Sequence, residues 1–237
     1  MKVNKRAGWC LGMLGLLAAG GAQAIEVFPV VKEIREETPR DNYITIKSMF
    51  RASETGEETA ADTQQYEFVT LELFHVPNPG DAKEQRIKEL GAADPTLVFS
   101  PTRLVIPYGE ARKIRIMPLK PVARERVYRL RVRPSYPEQA LDKGKVRFAI
   151  GYDVLLRYLP PGKHTQGIAI VCHNHQWTLT ATGNVRSELR NLVIDGRKWQ
   201  APFNVYPEHS RTLKVNQRLT FELDGELQVY EQCQRKG

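Results

Sequence analysis

The stretch Lys145–Leu159, KVRFAIGYDVLLRYL, decides how we interpret the rest of this chain. Its first half alternates apolar with other residues, and side chains two apart on a strand lie on the same face. The apolar members of this row are Val146, Phe148 and Ile150. Its second half contains the unbroken apolar run Val154–Leu156, which is typical of a strand covered on both faces. We therefore predict one long strand whose second half is buried and whose first half exposes an apolar edge.

A simpler interpretation fits the same stretch. Fifteen residues at about 3.3 Å each would span roughly 50 Å, which is longer than most strands. The stretch could therefore be an ordinary strand, or two strands with a kink at Gly151. In both interpretations Pro160-Pro161-Gly162 ends the segment, and the pattern alone does not separate them.

Residues 1–24 have the three parts of a secretory signal peptide. Three basic residues begin the segment, an apolar run follows over residues 9–19, and small residues lead up to Ala24. We expect cleavage after Ala24 and export of the remaining chain. No later apolar run is long enough to cross a bilayer, so we predict no stable membrane insertion.

The charge of the chain is mildly basic. The full sequence has 35 basic and 27 acidic residues, a formal net charge of +8. Residues 1–24 contain three basic and no acidic residues, so cleavage would lower the charge to +5. In an exported protein this excess favours solubility or an acidic partner, and we expect no nucleic-acid partner.

Two cysteines remain after cleavage, Cys172 and Cys233. Disulfides form in the oxidising compartments that exported proteins reach, so we predict that these cysteines are bonded to each other. The bond would close a loop of about 60 residues and stabilise the fold by about 4 kcal/mol in the chain-entropy model. Two free thiols are the alternative.

Many short alternating segments and no sustained helical period follow along the chain. The segments before the double proline are Ile25–Val31, where Pro29 indicates an edge strand, Tyr43–Phe50, Tyr66–Val76, Leu97–Pro107, Ala111–Leu119 and Glu125–Arg133. Those after it are Gly167–Val171, Gln176–Ala181, Leu192–Ile194, Leu213–Val215, Leu219–Leu223 and Leu227–Tyr230. Such spacing is typical of sandwich folds. We predict an all-β protein with two tandem β-sandwich domains, 25–159 and 163–237.

Three further segments carry predictions of their own. Residues 53–65, SETGEETAADTQQ, are acidic and polar and predict a mobile loop. Asp81–Ala93 is predicted as a loop with at most a turn or two of helix. The arginines that alternate along Glu125–Arg133 are expected to lie on a solvated sheet face.

Motifs spread over the chain together point to one family. They are Phe28–Lys32, Leu97–Pro107 with Gly109, Lys113–Ile116, Glu125–Arg129, Ile150–Pro160 with Arg157, Gly183–Arg186 and Tyr206–Glu208. With them the chain resembles the periplasmic pilus chaperones of the chaperone–usher pathway, in the branch that serves CS1/CFA-type (alpha) fimbriae. The resemblance covers nearly all of the chain after residue 24. It implies a periplasmic protein with two tandem immunoglobulin-like domains in an L-shaped, PapD-like arrangement.

The resemblance implies donor-strand complementation as the mechanism. A fimbrial (pilin) subunit of this kind is similar to a sandwich that lacks its last strand, and the chaperone lends its long strand to fill the gap. The expected donor side chains here are Val146, Phe148 and Ile150, followed by Tyr152. The implied partners are fimbrial subunits and an outer-membrane usher. An exposed apolar edge would also allow the free chaperone to self-associate.

The resemblance also implies two polar sites. Lys32 and Arg157 are expected to anchor the terminal carboxylate of the pilin in the cleft between the domains, because such charge-assisted hydrogen bonds are strong. Arg35 and Arg115 are alternative basic residues for this cleft. A structural salt bridge between the domains is expected to join Arg115, Glu125 and Asp224.

Other functions are less well supported by the residues. Cys172-His173-Asn174-His175 could supply metal ligands, but no second motif supports a metal site, and no nucleophile elbow, phosphate loop or dinucleotide motif is present. We therefore expect no enzyme activity and no cofactor. The remaining alternative is an exported immunoglobulin-like adhesin or carbohydrate-binding module, for which the loops contain few aromatic residues.

Overall fold

The structure, a computed structural model, describes residues 25–49, 66–135 and 150–236. These residues form strands and one 3₁₀ turn, Pro39–Asp41. Strands before the double proline are β1 Ile25–Phe28, β2 Val31–Ile34, β3 Tyr43–Ser48, β4 Tyr66–Val76, β5 Ile87–Lys88, β6 Leu97–Ser100, β7 Arg103–Pro107, β8 Ala111–Pro118, β9 Arg126–Pro134 and β10 Tyr152–Tyr158. The described part of the chain has no helix long and apolar enough to cross a bilayer.

The first ten strands form two facing sheets. One sheet has the order β1-β3-β8-β6, and the other has the order β2-β10-β9-β4-β5, with β7 also paired to β4. Inward residues of both sheets alternate with exposed ones and fill one hydrophobic core. Fully buried members of this core include Ile34, Ile44, Ile46, Leu73, Leu97, Ile106, Ile114, Leu130, Val154 and Leu156.

The predicted strand Ile25–Val31 is two strands that belong to different sheets. β1 pairs antiparallel with β3, whereas β2 pairs parallel with β10. The chain crosses from one sheet to the other at Pro29 and Val30. Proline lacks the N–H group that a continued ladder would need, which explains why the strand is interrupted there.

The long stretch is only partly described. β10 takes up its second half, and Val154, Leu156 and Tyr158 are completely buried in the core, as the apolar run predicted. Ile150 precedes β10 and is 55% exposed. Val146 and Phe148 lie outside the described residues, as do residues 1–24 and the loop 53–65, so the predictions for them stay open.

The remaining strands form the second pair of sheets. They are β11 Ile168–His173, β12 Gln176–Ala181, β13 Ser187–Ile194, β14 Arg197–Lys198, β15 Phe203–Val205, β16 Ser210–Lys214, β17 Arg218–Leu223, β18 Glu226–Glu231 and β19 Gln234–Lys236. One sheet has the order β11-β12-β16, and the other has the order β14-β13-β17-β18-β19, with β15 paired to β13. A second hydrophobic core lies between them. All six predicted segments overlap strands, and β14, β15 and β19 are additions.

The predicted disulfide between Cys172 and Cys233 is present. It joins β11 in one sheet to the turn between β18 and β19 in the other. Both cysteines pack against the second core. The bond therefore fixes the C-terminal hairpin to the opposite sheet.

A small apolar cluster connects the two pairs of sheets. Val76, Val127 and Tyr206 are buried together, with Leu155 packed against them. Val76, Val127 and Leu155 come from β4, β9 and β10 of the first pair of sheets, and Tyr206 follows β15 in the second. The two larger hydrophobic cores on either side of this cluster agree with the division into 25–159 and 163–237, which we retain as a proposal.

Candidate functional site

Glu125 is the centre of the polar contacts between the two pairs of sheets. Its side chain is fully buried, and its two oxygens accept hydrogen bonds from Nε and Nη2 of Arg157 at 2.7 and 3.0 Å. One oxygen also accepts the backbone N–H of Arg186 at 2.7 Å, and the Glu125 N–H donates to the carbonyl of Asn184 at 2.8 Å. One carboxylate therefore joins β10 to the segment that precedes β13.

Arg157 is held by two carboxylates. Besides its bonds to Glu125, its Nη1 donates to Glu33 at 2.9 Å, and the other oxygen of Glu33 accepts a bond from Arg35 at 2.7 Å. Burial lowers the pKa of Arg157, but the hydrogen bonds and charges of these carboxylates outweigh it and raise the pKa overall. Burial alone would raise the pKa of Glu33. The hydrogen bond from Arg35 and the charges of Arg157 and Arg35 outweigh burial and lower the pKa overall. Arg157 and Glu33 are therefore both charged at neutral pH.

This geometry corrects the expected salt bridge. Arg115 lies on the exposed face of β8, opposite Tyr43 in the ladder, because its neighbours Ile114 and Ile116 point into the core. Asp224 is exposed in the turn between β17 and β18, with φ +53°. Neither contacts Glu125, whose partner is Arg157. The prediction identified the buried carboxylate correctly and the cation incorrectly.

Lys32 and Arg157 do not converge. In the parallel ladder Lys32 is opposite Leu156, which faces the core, whereas Arg157 is opposite Glu33 on the other face. The half-buried side chain of Lys32 reaches towards Tyr43, with Nζ 5.9 Å from the ring centroid. The two side chains therefore lie on different faces of the β2–β10 ladder, and their pairing in one anchor stays a prediction.

A polar cleft of about 230 Å³ opens beside Arg157. Its lining is Glu33, Arg35, Arg157, Leu159, His164, Gln166, Val185, Arg186 and Glu188. Arg35 and Arg157 are paired with Glu33, and Arg186 approaches Glu188 at 3.7 Å. The cations of this cleft are therefore already neutralised by acidic residues of the chain.

Among the described residues, β10 has a free edge upstream of Leu155. Its pairing with β2 begins at Leu155, whose N–H donates to the carbonyl of Val30 at 2.9 Å. In the described part of the chain, no strand pairs with the preceding residues of β10 on this side. Since alternate residues of a strand direct their backbone groups to the same side, the N–H and C=O of Asp153 face this open edge.

Exposed apolar side chains lie at the crossover between the sheets and just before β10. Phe28, Val30 and Val31, where the chain crosses between the sheets, are 71%, 53% and 49% exposed, and Ile150 precedes β10 and is also exposed. Only Ile150 was among the predicted donor residues. The sequence pattern could not predict that Phe28, Val30 and Val31 are exposed. Whether a short strand buries or exposes its apolar residues depends on which sheet it joins.

Tyr152, the fourth predicted donor residue, has a contact within the chain. Its hydroxyl donates to the carbonyl of Ile25 at 2.9 Å, and its ring packs against the first core. The same face of β10 carries Val154 and Leu156 into that core. Tyr152 is therefore placed as a packing residue of this domain, and its expected contact with a pilin has no support in the geometry.

The arginine row of β9 is less solvated than expected. Arg129 makes two hydrogen bonds to Glu84, at 3.0 and 2.8 Å, and Arg131 lies over the ring of Phe74 at 4.8 Å. The segment between β4 and β5 thus covers this end of the sheet. Sequence alternation gave the correct face for the arginines, but Glu84 lies 45 residues away from Arg129, and such a contact has no local signal.

The metal alternative loses one of its ligands. Cys172 is in the disulfide, His173 ends β11, and His175 lies in the turn that leads to β12. Within the described ranges, no group of three His, Cys, Asp or Glu residues could hold a metal ion.

Comparisons with known proteins give relatives of low identity. No family model matches the chain. The chain is 24% identical to a CFA/I fimbrial subunit of Escherichia coli over 67% of its own length and 73% of that protein. It is 26% identical to a CS1 fimbrial subunit of Escherichia coli over 71% of its own length and 67% of that protein.

Solved structures of chaperones share the architecture. The class 5 fimbriae chaperone CfaA matches 90% of this chain and 99% of its own, with a TM-score of 0.65 and 19% identity. A chain from a chaperone–tip adhesin complex of CFA/I fimbriae biogenesis gives the same TM-score and identity over 88% of this chain and 98% of its own. A chain of the Salmonella enterica SafA pilin–SafB chaperone complex has a TM-score of 0.60 and 9% identity. The match covers 90% of this chain and 98% of its own.

The agreement extends over nearly the whole described chain. It includes both pairs of sheets, which confirms the predicted fold class of two tandem immunoglobulin-like β-sandwich domains. The chain has the fold of the pilus chaperones, and the resemblance to the CFA/CS1-type chaperones predicted from its sequence is confirmed at the level of the fold.

Proposed function

We propose that this protein is a periplasmic chaperone that binds, stabilises and caps fimbrial subunits by donor-strand complementation and delivers them to an outer-membrane usher. The observation that carries the proposal is the free edge of β10 upstream of Leu155. This edge leads directly into the alternating apolar row that ends at Ile150. An exposed, unpaired edge is an aggregation hazard unless a partner uses it, and strand addition is the use that its chemistry fits.

The backbone and the side chains of the edge have separate roles in this mechanism. Backbone groups such as those of Asp153 pair with the pilin strand and set its register. The donor side chains Val146, Phe148 and Ile150 enter the open core of the pilin, where each contributes about 1.5–3 kcal/mol if fully buried. Phe28, Val30 and Val31 extend the apolar surface beside the edge.

We expect Lys32 to meet the end of the added strand. β2 runs parallel to β10 and begins at Val31, so a pilin strand added parallel to β10 would end next to β2. Lys32 makes no ion pair with an acidic residue in the described part of the chain. A terminal carboxylate arriving there would supply the missing charge, which supports Lys32 as one of its anchors.

Export and the absence of a catalytic step complete the proposal. We expect the signal peptide predicted for residues 1–24 to direct the mature protein to the periplasm, where its partners would be the fimbrial subunits and the usher. The chaperone–adhesin and chaperone–pilin complexes among the similar structures support fimbrial subunits as the partners. No cofactor is needed, because release follows when the next pilin replaces the lent strand with a better-fitting one. The free edge also makes self-association of the unbound chaperone a consequence of the mechanism.

Periplasmic co-expression with candidate pilins tests the proposal. We expect the wild type to form a soluble 1:1 complex that Phe148→Asp abolishes while the variant stays folded by circular dichroism. Ala149→Asp is the matched control, since the alternation places it on the opposite face of the strand, and it should retain most binding. If Phe148→Asp binds as well as the wild type, the donor strand is misassigned. If no pilin binds the wild type, the chaperone function itself is wrong.

A further inference from the structure

We infer that β11 is a dimerisation edge, at which a second copy of this chain pairs antiparallel about Ile170. The contact lies in the second pair of sheets and needs neither the donor strand nor a pilin, so it goes beyond the proposed function. It gives a partner to a strand that strand addition at β10 does not use.

β11 is an edge strand without the usual protection. It ends the sheet β11-β12-β16, and no strand of residues 25–49, 66–135 and 150–236 pairs with its other side. Its sequence, IAIVCH, has no proline, lysine, arginine or carboxylate. The other edge strands of the described chain contain such charges, as Glu26 in β1, Lys88 in β5 and Arg235 in β19, or adjoin a proline, as β6 and β15 do. Because charges and prolines keep edge strands from pairing, β11 is the edge open to association.

The backbone of β11 leaves three residues unpaired on this edge. The N–H of Thr182 donates to the carbonyl of Gly167 at 2.9 Å, and the β11–β12 register continues from that pair. Alternate residues of an antiparallel strand direct their backbone groups to the same side, so the odd-numbered residues of β11 are bonded to β12. The residues whose N–H and C=O groups face outward are therefore Ile168, Ile170 and Cys172.

These three residues match a second copy of themselves. Antiparallel pairing about a two-fold axis at Ile170 places Ile168 opposite Cys172 of the second copy, so each outward N–H and C=O group of both strands gains a partner. The three side chains are uncharged and pack partly against the second core. The pairing would therefore join the two cores without bringing charges together, and its two-fold symmetry closes it at a dimer.

The side chains beside this edge also favour a neutral partner. On the outer face of β11, Val171 is 56% exposed, and the same pairing places it opposite Ala169 of the second copy. Thr178 and Thr212 continue its row across β12 and β16. Among the outward positions of these three strands, the only lysine, arginine or carboxylate is Lys214, at the end of β16. A charged partner would find no complementary charge here, whereas an identical strand meets no repulsion.

The contact is small, so the dimer should be reversible. A strand of six residues spans about 20 Å, and two such strands bury less surface than the roughly 1,200 Å² at which stable interfaces begin. The edge of the opposite sheet on this side is β19, which carries Arg235 and Lys236, and the disulfide holds its turn beside β11. Pairing is thus limited to β11, and we expect dimerisation to depend on concentration.

Sedimentation velocity of the mature protein over a concentration series, without any pilin, tests the dimer. We expect the wild type and Phe148→Asp to dimerise alike, because β11 is intact in both. Val171→Lys should raise the dimer dissociation constant at least about tenfold, since it places two like charges across the seam. Thr212→Lys is the matched control: it adds the same charge to the same face two strands away and should change the constant less than about twofold. Circular dichroism checks that each variant is folded.

Three results would overturn the inference. They are a wild type that stays monomeric, equal dimerisation of Val171→Lys and the wild type, and loss of the dimer in Phe148→Asp, which would assign self-association to the donor edge. Hydrogen exchange gives an independent readout. The amides of Ile168 and Ile170 should become protected as the concentration rises, while that of Ala169, bonded to β12, should not change. Protection of Ile170 only after a pilin is added would make the pilin the occupant and the dimer wrong.

Discussion

Replacing Glu125 by alanine tests whether one buried carboxylate joins the two domains. The variant leaves the Arg157 guanidinium, whose side chain is 10% exposed, with Glu33 as its only acidic partner in the described chain. It also removes the acceptor of the Arg186 N–H. Breaking a buried ion pair from one side costs about 3–5 kcal/mol, and a neutral backbone donor left without its acceptor adds a smaller loss. We therefore expect the free energy of unfolding to fall by at least about 3 kcal/mol.

Urea unfolding followed by two probes measures this effect. After cleavage at Ala24 the tryptophans are Trp177 and Trp199, so their fluorescence reports the second pair of sheets, whereas circular dichroism reports both. We expect Glu125→Ala to lower both midpoints and to separate the two transitions. Glu110→Ala breaks an exposed pair with Arg112 and should cost less than about 1 kcal/mol. A similarly small loss in Glu125→Ala would refute the reasoning.

Two further predictions concern stability. Changing both Cys172 and Cys233 to serine should lower the free energy of unfolding by about 4 kcal/mol, because the closed loop spans about 60 residues; dithiothreitol should lower the urea midpoint of the wild type and leave that of the double variant unchanged. Burial is the largest cause that lowers the pKa of His75, and the positive charge of Arg126 lowers it further. The negative charge of Glu89 acts in the opposite direction, but the pKa is lowered overall. The unfolded chain therefore binds a proton more readily, so stability should fall as the pH drops below about 6.5. His75→Gln should flatten this dependence between about pH 7.5 and 5.5, and an unchanged slope would contradict the assignment.

The alternating patterns predicted the sheets because burial on one face leaves a period of two. Tyr66–Val76 and Gln176–Ala181 were predicted with the bounds that the structure gives. The short strands β5, β14 and β19 have two or three residues, too few to show a period. β1 and β2 were merged in the prediction, since their membership of different sheets is set by pairing with distant strands.

The polar site was predicted less completely, for a related reason. Lys32, Glu125 and Arg157 were singled out, but which of them meet depends on the faces that β2 and β10 present to each other. The parallel register places Arg157 with Glu33 and turns Lys32 towards Tyr43. A register shift of one residue would exchange these faces, and nothing in the local sequence determines that register.

Hydrogen exchange at the free edge of β10 tests the central claim most directly. Asp153 faces the same side as Leu155, whose N–H is bonded to Val30, so its own amide should exchange quickly in the free protein. In a complex with a co-expressed pilin, we predict strong protection of the Asp153 amide, with no change at Ala169 and Val171 on the edge strand β11. Equal exchange at Asp153 in the free and bound protein would contradict strand addition at this edge.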